Sequence, residues 1–476
     1  MASGVRICEP AQPMAPRRPQ FQRALLALAG VIAALGAGGC RPAPPPPPPD
    51  VVVVLLDTLR PDHLAIHGYE RDVAPFLSEL RAESTLFTRA YSSSALTPPS
   101  VASLFTGVYP HEHGVFEVLG AARIQVFQAI AAGTAMEYDP THRLPPALPT
   151  LPERLKQAGY STFAVFSNPN VSDKMGFERG FDRWVKVEGG APGAEEVLAV
   201  LGELEPELQT ASPRFVYVHF MDPHFPYHAR DPEKPLPGPR PKGKVPVADN
   251  YDREIRFMDR HLRALVERLA LRERTVLVIA SDHGEELRER GELGHARGLY
   301  AELNRALVLI RAPHMKDAPR TVKQNVSLID VLPTVMEAVG RPVEDVEGLS
   351  LWPLLGPGGP ARAQRAHELA NRTVFAHRRR ERLDGPPREL WSAIHGDWRL
   401  IADHGDPNEP RFMLFDHAHD PKETTDRSTE HPDVVQALTE QIDGYRARPA
   451  GHWERRKLEL SEQERAELEA IGYVEP

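Results

Sequence analysis

An unbroken aliphatic run, Val51 to Leu56, ends in Asp57, and it constrains the fold more than any other stretch of the 476 residues. A strand with one wet face alternates apolar and polar side chains. A run that is apolar throughout suits a central parallel strand covered on both faces. Similar buried-type runs recur at Ser161 to Phe166, Arg214 to Phe220, Thr275 to Ala280 and Ala306 to Ile310. Helical patterns lie between them: Thr150 to Gly159, opened by threonine and closed by glycine, and Tyr251 to Leu271, with charges on one face. Alternation of strand and helix predicts a doubly wound α/β fold with a mainly parallel central sheet.

That body is expected to span residues 51–385. Leu390 to Ile401 and Arg411 to Phe415 then read as short antiparallel strands, Pro432 to Tyr445 as a helix, and a further helix begins near Ser461. Residues 386–476 are therefore expected to form a small C-terminal α+β subdomain. Gly120 to Pro149 has no clear period and reads as a loop insertion or lid; no internal repeat stands out.

The N-terminus reads as a targeting segment. Arg17, Arg18 and Arg23 precede an apolar core, Ala24 to Leu35, too short for a comfortable membrane span. Ala37-Gly38-Gly39-Cys40 follows and resembles a bacterial lipobox, in which Cys40 would be lipidated; a plain signal peptide or an uncleaved anchor is the alternative. Residues 1–40 are thus expected to be a lipoprotein signal. Residues 41–50, with Pro42 and Pro44 to Pro49, form a stiff tether. The expectation is an extracytoplasmic, membrane-anchored lipoprotein of a bacterial envelope. The other cysteine is Cys8, so the globular part can hold no disulfide, catalytic cysteine or cysteine-based zinc site. A formal charge of −9 gives no reason to expect nucleic acid as a partner.

Ligands of open α/β sheets bind beyond the C-terminal ends of the strands. Asp57 and Asp282 sit at two such ends, with His283, Gly284 and Glu285 next. Two carboxylates and an imidazole on adjacent strands make a divalent-metal cage, while helix capping is the plainer alternative. Thr97-Pro98-Pro99-Ser100 marks a helix N-terminus. Thr97 or Ser100 there can be a simple cap. A metal-adjacent hydroxyl could instead act as a nucleophile, with free N–H groups and the helix dipole favouring an anion. His219 and His224 flank the turn after Arg214–Phe220 and could hold an anion or serve a leaving group; His295 and Arg297 are weaker candidates of the same sort.

These elements, in this order, resemble the sulfatase family of the alkaline phosphatase superfamily. The resemblance rests on Asp57-Thr58-Leu59-Arg60-Pro61-Asp62, Leu104-Phe105-Thr106-Gly107, Leu155-Lys156-Gln157-Ala158-Gly159-Tyr160, Asp222-Pro223-His224-Phe225-Pro226-Tyr227, Ser281-Asp282-His283-Gly284-Glu285 and Leu414-Phe415-Asp416. It implies an alkaline-phosphatase-like sheet and one divalent ion (Ca, Mg, Mn or Zn) on Asp57, Thr97, Asp282 and His283. It places Thr97 at the nucleophile position, His224 at the leaving-group or substrate histidine and His295 near a region that contributes a lysine or histidine in relatives; His219 and Arg297 stay as substrate-contact candidates from the residues alone. Sulfatases place an oxidisable Cys or Ser where Thr97 stands and an Arg where Val101 stands, and they carry a Lys-x-His pair where Ser167-Asn168-Pro169-Asn170 stands. Threonine beside an Asp-His pair is instead similar to the phospho-transferring branches of the superfamily.

The expected function is a formylglycine-independent hydrolase or phosphotransferase acting on a phosphate or sulfate ester, with an envelope glycan or lipid as a candidate bearer. One rival is a catalytically impaired lipoprotein that binds such an anion. Another is a purely structural protein, in which Asp57 and Asp282 would stand more than about 8 Å apart, too far to share an ion.

Overall fold

The computed structural model describes residues 47–118, 141–189, 192–228, 230, 234–240, 246–269, 274–295, 297–313, 315, 318, 320–356, 358–380, 387–405, 410–449, 455–456 and 462–470. The chain divides into Met1–Pro47 and Pro48–Pro476, and the architecture below is that of the second unit. The targeting segment and Cys40 lie outside the described residues, as does most of the expected lid, 119–140.

The central sheet contains β1 (Asp50–Leu56), β2 (Thr85–Tyr91), β3 (Ser161–Phe166), β4 (Arg183–Lys186), β5 (Arg214–Phe220), β6 (Thr275–Ser281), β7 (Arg305–Ala306), β8 (Val308–Arg311) and β9 (Thr321–Ser327). Its order is β4-β3-β5-β1-β6-β8-β2-β7, with β9 also paired to β2. The ladders among β4, β3, β5, β1 and β6 are parallel, and β8 runs antiparallel to β6. The aliphatic run of β1 behaves as its composition predicts. Val51, Val53 and Leu55 belong to one core cluster and Val52, Val54 and Leu56 to another, so both faces of the strand are covered.

The expected strand Ala306–Ile310 is split at Leu307. The Leu307 N–H donates to the Ser281 side-chain oxygen at 2.8 Å, and its carbonyl accepts from the Ser281 N–H at 3.0 Å. The expected helix Thr150–Gly159 is Leu151–Gln157, capped by Thr150, whose hydroxyl and Glu153 form a reciprocal capping box. The long helix is Val247–Arg268, shifted toward the N-terminus relative to the expected Tyr251–Leu271.

A second, antiparallel sheet contains β10 (Val374–Arg380), β11 (Arg388–His395), β12 (Trp398–Asp403) and β13 (Arg411–Asp416), packed by the helix Pro432–Arg446. It begins ahead of residue 385, because β10 pairs along its whole length with β11. The stretch expected as Leu390–Ile401 is a hairpin that reverses at Gly396, where φ is +58°. Short ladders also join Thr141–His142 to Arg455–Arg456 and Glu286–Leu287 to Leu293–Gly294. No helix among the described residues is long and apolar enough to cross a membrane.

Candidate active site

Register brings the two aspartates together. Leu56 of β1 pairs with Ser281 of β6, so Asp57 and Asp282 are the next residues on neighbouring parallel strands. Both are fully buried. Ligand atoms of Asp57, Asp282 and His219 all lie within 4.8 Å of one another, which removes the structural-protein reading that required separated carboxylates. Neither aspartate is a helix cap.

Asp57 uses only one of its oxygens for hydrogen bonding. Its Oδ2 accepts from the Asn168 amide at 2.5 Å and from His219 Nε2 at 3.1 Å. Asp282 Oδ1 accepts the backbone N–H groups of Thr58, at 3.1 Å, and of His283, at 2.9 Å. The other oxygens, Asp57 Oδ1 and Asp282 Oδ2, are buried without a hydrogen-bond partner. Burial alone would raise both acids. The hydrogen bond from His219 and the nearby histidines nevertheless hold Asp57 well below the usual carboxylate range. Burial and the charge of Asp57 push Asp282 up. Two bare, buried carboxylate oxygens are costly unless a cation joins them, so the donor set fits a divalent ion.

His283 and Thr97 complete that set. The His283 Nδ1–H donates to the Gly284 carbonyl at 2.8 Å, so in the neutral ring the lone pair is on Nε2. That nitrogen lies 3.4 Å from Asp282 Oδ2 and 3.3 Å from Thr97 Oγ1. Gly284 is required here: a Cβ on it would stand 2.0 Å from the Glu302 carbonyl oxygen. Asp57, Thr97, Asp282 and His283 thus lie close together.

Thr97 opens the helix Thr97–Thr106 and is fully buried, with its Oγ1 also 3.4 Å from the Asn168 amide. The cap position is Leu96, and no side chain caps the helix. Ser100 instead bonds to Ser92 Oγ at 2.8 Å and to the Ser94 carbonyl. The expected cluster of free N–H groups is not there: Pro98 and Pro99 have none, and the Ser100 N–H is used by the Leu96 carbonyl. What remains at the threonine is the helix dipole and its own N–H.

His219 is fully buried. Its Nε2–H is given to Asp57, so its Nδ1 accepts from the Tyr217 hydroxyl at 3.1 Å. It therefore holds Asp57 from behind. His224 and His295 meet at the front, with Nε2 atoms 3.1 Å apart, and the His295 ring lies 4.5 Å from that of His283. Burial pushes both histidines below their ordinary value, His295 further because His283 and His224 are close. Glu285 joins this pair within 4.8 Å. Its Oε2 accepts from the Tyr227 hydroxyl at 2.6 Å, and burial pushes its pKa up to about 8. Arg297 is not gathered in; it is 69% exposed and pairs with Glu292 at 2.9 Å.

Two site residues escaped the sequence reading. Asn168 had been noted only for standing where a lysine pair was expected, yet its amide bridges Asp57 and Thr97. The Phe166–His219 register of β3 and β5 puts the loop after β3 beside the aspartates. Glu285 was read as the tail of a motif. Glu286 pairs with Gly294 in a short hairpin, so Glu285 and His295 face each other as the next pair. Gly294, at φ +94°, permits that turn.

A sulfatase family model matches residues 49–341. A low-salt glycan biosynthesis sulfotransferase of Haloferax volcanii is 31% identical over 204 residues, 39% of this chain and 48% of that protein, so the match spans about half of the relative's length. A ulvan-active sulfatase of Formosa agariphila is 25% identical over 400 residues, covering 78% of this chain and 75% of that protein. In fold, the phosphonate monoester hydrolase of Agrobacterium radiobacter superposes with a TM-score of 0.63 at 18% identity, over 84% of this chain and 95% of that one. With the family model covering well over half of its length, this chain belongs to the sulfatase family.

Proposed function

We propose that this protein is a metal-dependent ester hydrolase or phosphotransferase in which Thr97, without conversion to formylglycine, attacks a phosphate ester. Family membership supports the coarser statement, hydrolysis or transfer of a sulfate or phosphate ester. The observation that carries the finer one is Thr97 Oγ1 at a helix N-terminus, beside His283 Nε2 and two bare carboxylate oxygens. A divalent ion held by Asp57, Asp282, His283 and the threonine oxygen would lower the hydroxyl's pKa and polarise the phosphoryl group.

Asn168 orients Asp57 and the nucleophile together. Thr97 Oγ forms a bond to phosphorus as the bond to the ester oxygen breaks. The hydroxyl proton passes to solvent water, and the ester oxygen departs as an anion that takes a proton from solvent. That oxygen departs toward His224 and His295, where positive charge is needed to stabilise it. Attack by water, or by an acceptor hydroxyl, then frees Thr97. Threonine cannot give the aldehyde of the sulfate-cleaving relatives, which favours phosphate over sulfate. An envelope glycan or lipid as the ester's bearer follows from the expected anchor at Cys40.

Turnover of an aryl phosphate and an aryl sulfate by the full-length protein, by Thr97→Ala and by Thr97→Ser tests this reading. Phosphate turnover that persists in Thr97→Ser and vanishes in Thr97→Ala supports it. Equal turnover in Thr97→Ala refutes it. Absence of turnover with either ester, with metal bound, points to the binding-only alternative.

A further inference from the structure

We propose that a pocket between the edge of the central sheet and the loop after β13 binds a small tetrahedral oxyanion, phosphate or sulfate, through Arg305 and Lys323. The site shares no residue with the candidate active site and stands whether or not Thr97 is a nucleophile.

Both sheets contribute to this pocket, whose volume is about 260 Å³. β2 supplies Thr88, Arg89 and Tyr91, and β7 supplies Arg305, the register partner of Tyr91. β9 supplies Lys323, at the irregularity where its pairing with β2 shifts between Val322 and Asn325. The loop after β13 closes the other side with His417 and Glu423. The volume is small for a ligand pocket and suits one ionic group rather than an extended chain.

Charge carries the proposal. Arg305 donates to the Thr88 carbonyl at 3.2 Å, and neither it nor Lys323 enters an ion pair among the described residues. The rest of the planar guanidinium fork stays available, the geometry that recognises phosphate and sulfate oxygens. The carboxylates at hand are already committed. Glu423 gives one oxygen to Arg399 at 3.0 Å and the other to the Ala301 N–H at 2.8 Å. Asp397 holds Arg89 at 2.6 Å. Two cations therefore line one pocket with no carboxylate to balance them, in a chain whose formal charge is −9.

The wall groups are fixed and feel that field. The His417 Nε2–H donates to the Gly396 carbonyl at 3.1 Å, so its Nδ1 accepts from the Tyr91 hydroxyl at 3.0 Å. Burial, and then Arg89, pushes His417 down to about 4. Burial pushes the Tyr91 hydroxyl up to about 12, against the pull of Arg305, Arg399 and Arg89. A lysine on an edge strand can serve only to keep that edge solvated. That explains an exposed Lys323 but not Arg305, which is half-buried and oriented by a backbone carbonyl.

The test is equilibrium dialysis of the full-length protein against labelled inorganic phosphate. Metal is first stripped with a chelator, so that the bare carboxylates of Asp57 and Asp282 repel anions from the active site. One phosphate per chain is expected, displaced by sulfate. Lys323→Gln and Arg305→Gln should each weaken it by about tenfold or more, the loss of a charge-assisted hydrogen bond. Lys323→Glu should abolish it, and because Lys323 is exposed this variant should keep the fold, checked by circular dichroism, even where Arg305→Gln does not. No phosphate bound by the parent, or equal binding by the parent and both Lys323 variants, overturns the proposal. Glycerol phosphate in place of the inorganic ion tells the source: tighter binding assigns the pocket to an ester-borne group, and weaker binding assigns it to the free ion.

Discussion

The Asn168 amide bridges Asp57 Oδ2, at 2.5 Å, and Thr97 Oγ1, at 3.4 Å, and so ties the first expected metal ligand to the expected nucleophile. Asn168→Ala is predicted to leave the fold intact and to weaken metal binding or turnover by roughly 10–100-fold, the usual effect of losing a group that orients a ligand. Asn168→Asp should do worse, because it sets a third carboxylate against Asp57. A metal titration of both variants checks this. Parent-like affinity and turnover in Asn168→Ala would remove the bridge from the account.

Arg399 and Glu423 form a buried ion pair at 3.0 Å, 1% and 0% exposed. Arg399 also donates to Asn304 Oδ1 at 2.8 Å and to the Leu299 carbonyl, while Glu423 accepts from the Ala301 N–H. The pair fastens the second sheet to the segment that follows His295. Arg399→Ala is predicted to cost about 3–5 kcal/mol, because it strands a buried carboxylate. Denaturant unfolding measures the loss.

Acid should destabilise the protein through His113, away from the expected metal ligands. Its Nδ1 accepts from the Val115 N–H at 3.1 Å, and its Nε2–H donates to Ser103 Oγ at 3.0 Å. Protonation would break the first bond, and burial pushes the group down to about 3. The unfolded chain therefore binds a proton between pH 6.5 and about 3 that the folded chain refuses. Stability contributed by the neutral ring is complete above that window and is lost as pH falls, by about 1.4 kcal/mol per pH unit. His113→Gln should flatten the fall by that slope in melts recorded across the window.

The proposed anchor gives a separate prediction. Cells expressing the full chain with a labelled fatty acid should label the protein, and Cys40→Ala should abolish the label and release the protein from the membrane fraction. Unchanged labelling in Cys40→Ala would refute lipidation at that residue.

The sheet interior was legible because strands covered on both faces leave little freedom in composition: β3 and β5 coincide with their apolar runs, and β1 nearly so. The edges were not. The strand β10 was not anticipated: its sequence His377-Arg378-Arg379-Arg380 carries three consecutive charges, and Arg378 is nonetheless buried against Glu117. At the site, Asp57, Asp282 and His283 stand at strand ends and Thr97 at a proline-marked helix start, so pattern offers them as candidates beside plain capping, and the family resemblance is what separates the two readings. Asn168 could not, since an amide in a loop carries no periodic signal and only the β3–β5 register brings it to Asp57. Glu285 and His295 are joined by a hairpin whose visible marks are Gly291 and Gly294. Val101 was read as a missing arginine; its place in the core shows that the position is used for packing.

The most direct test of the central claim is the mass of the full-length protein after brief reaction with metal and an activated aryl phosphate, followed by peptide mapping. The account predicts a phosphoryl adduct on Thr97, absent in Thr97→Ala. Turnover with no adduct on Thr97, or an adduct on another residue, would contradict it.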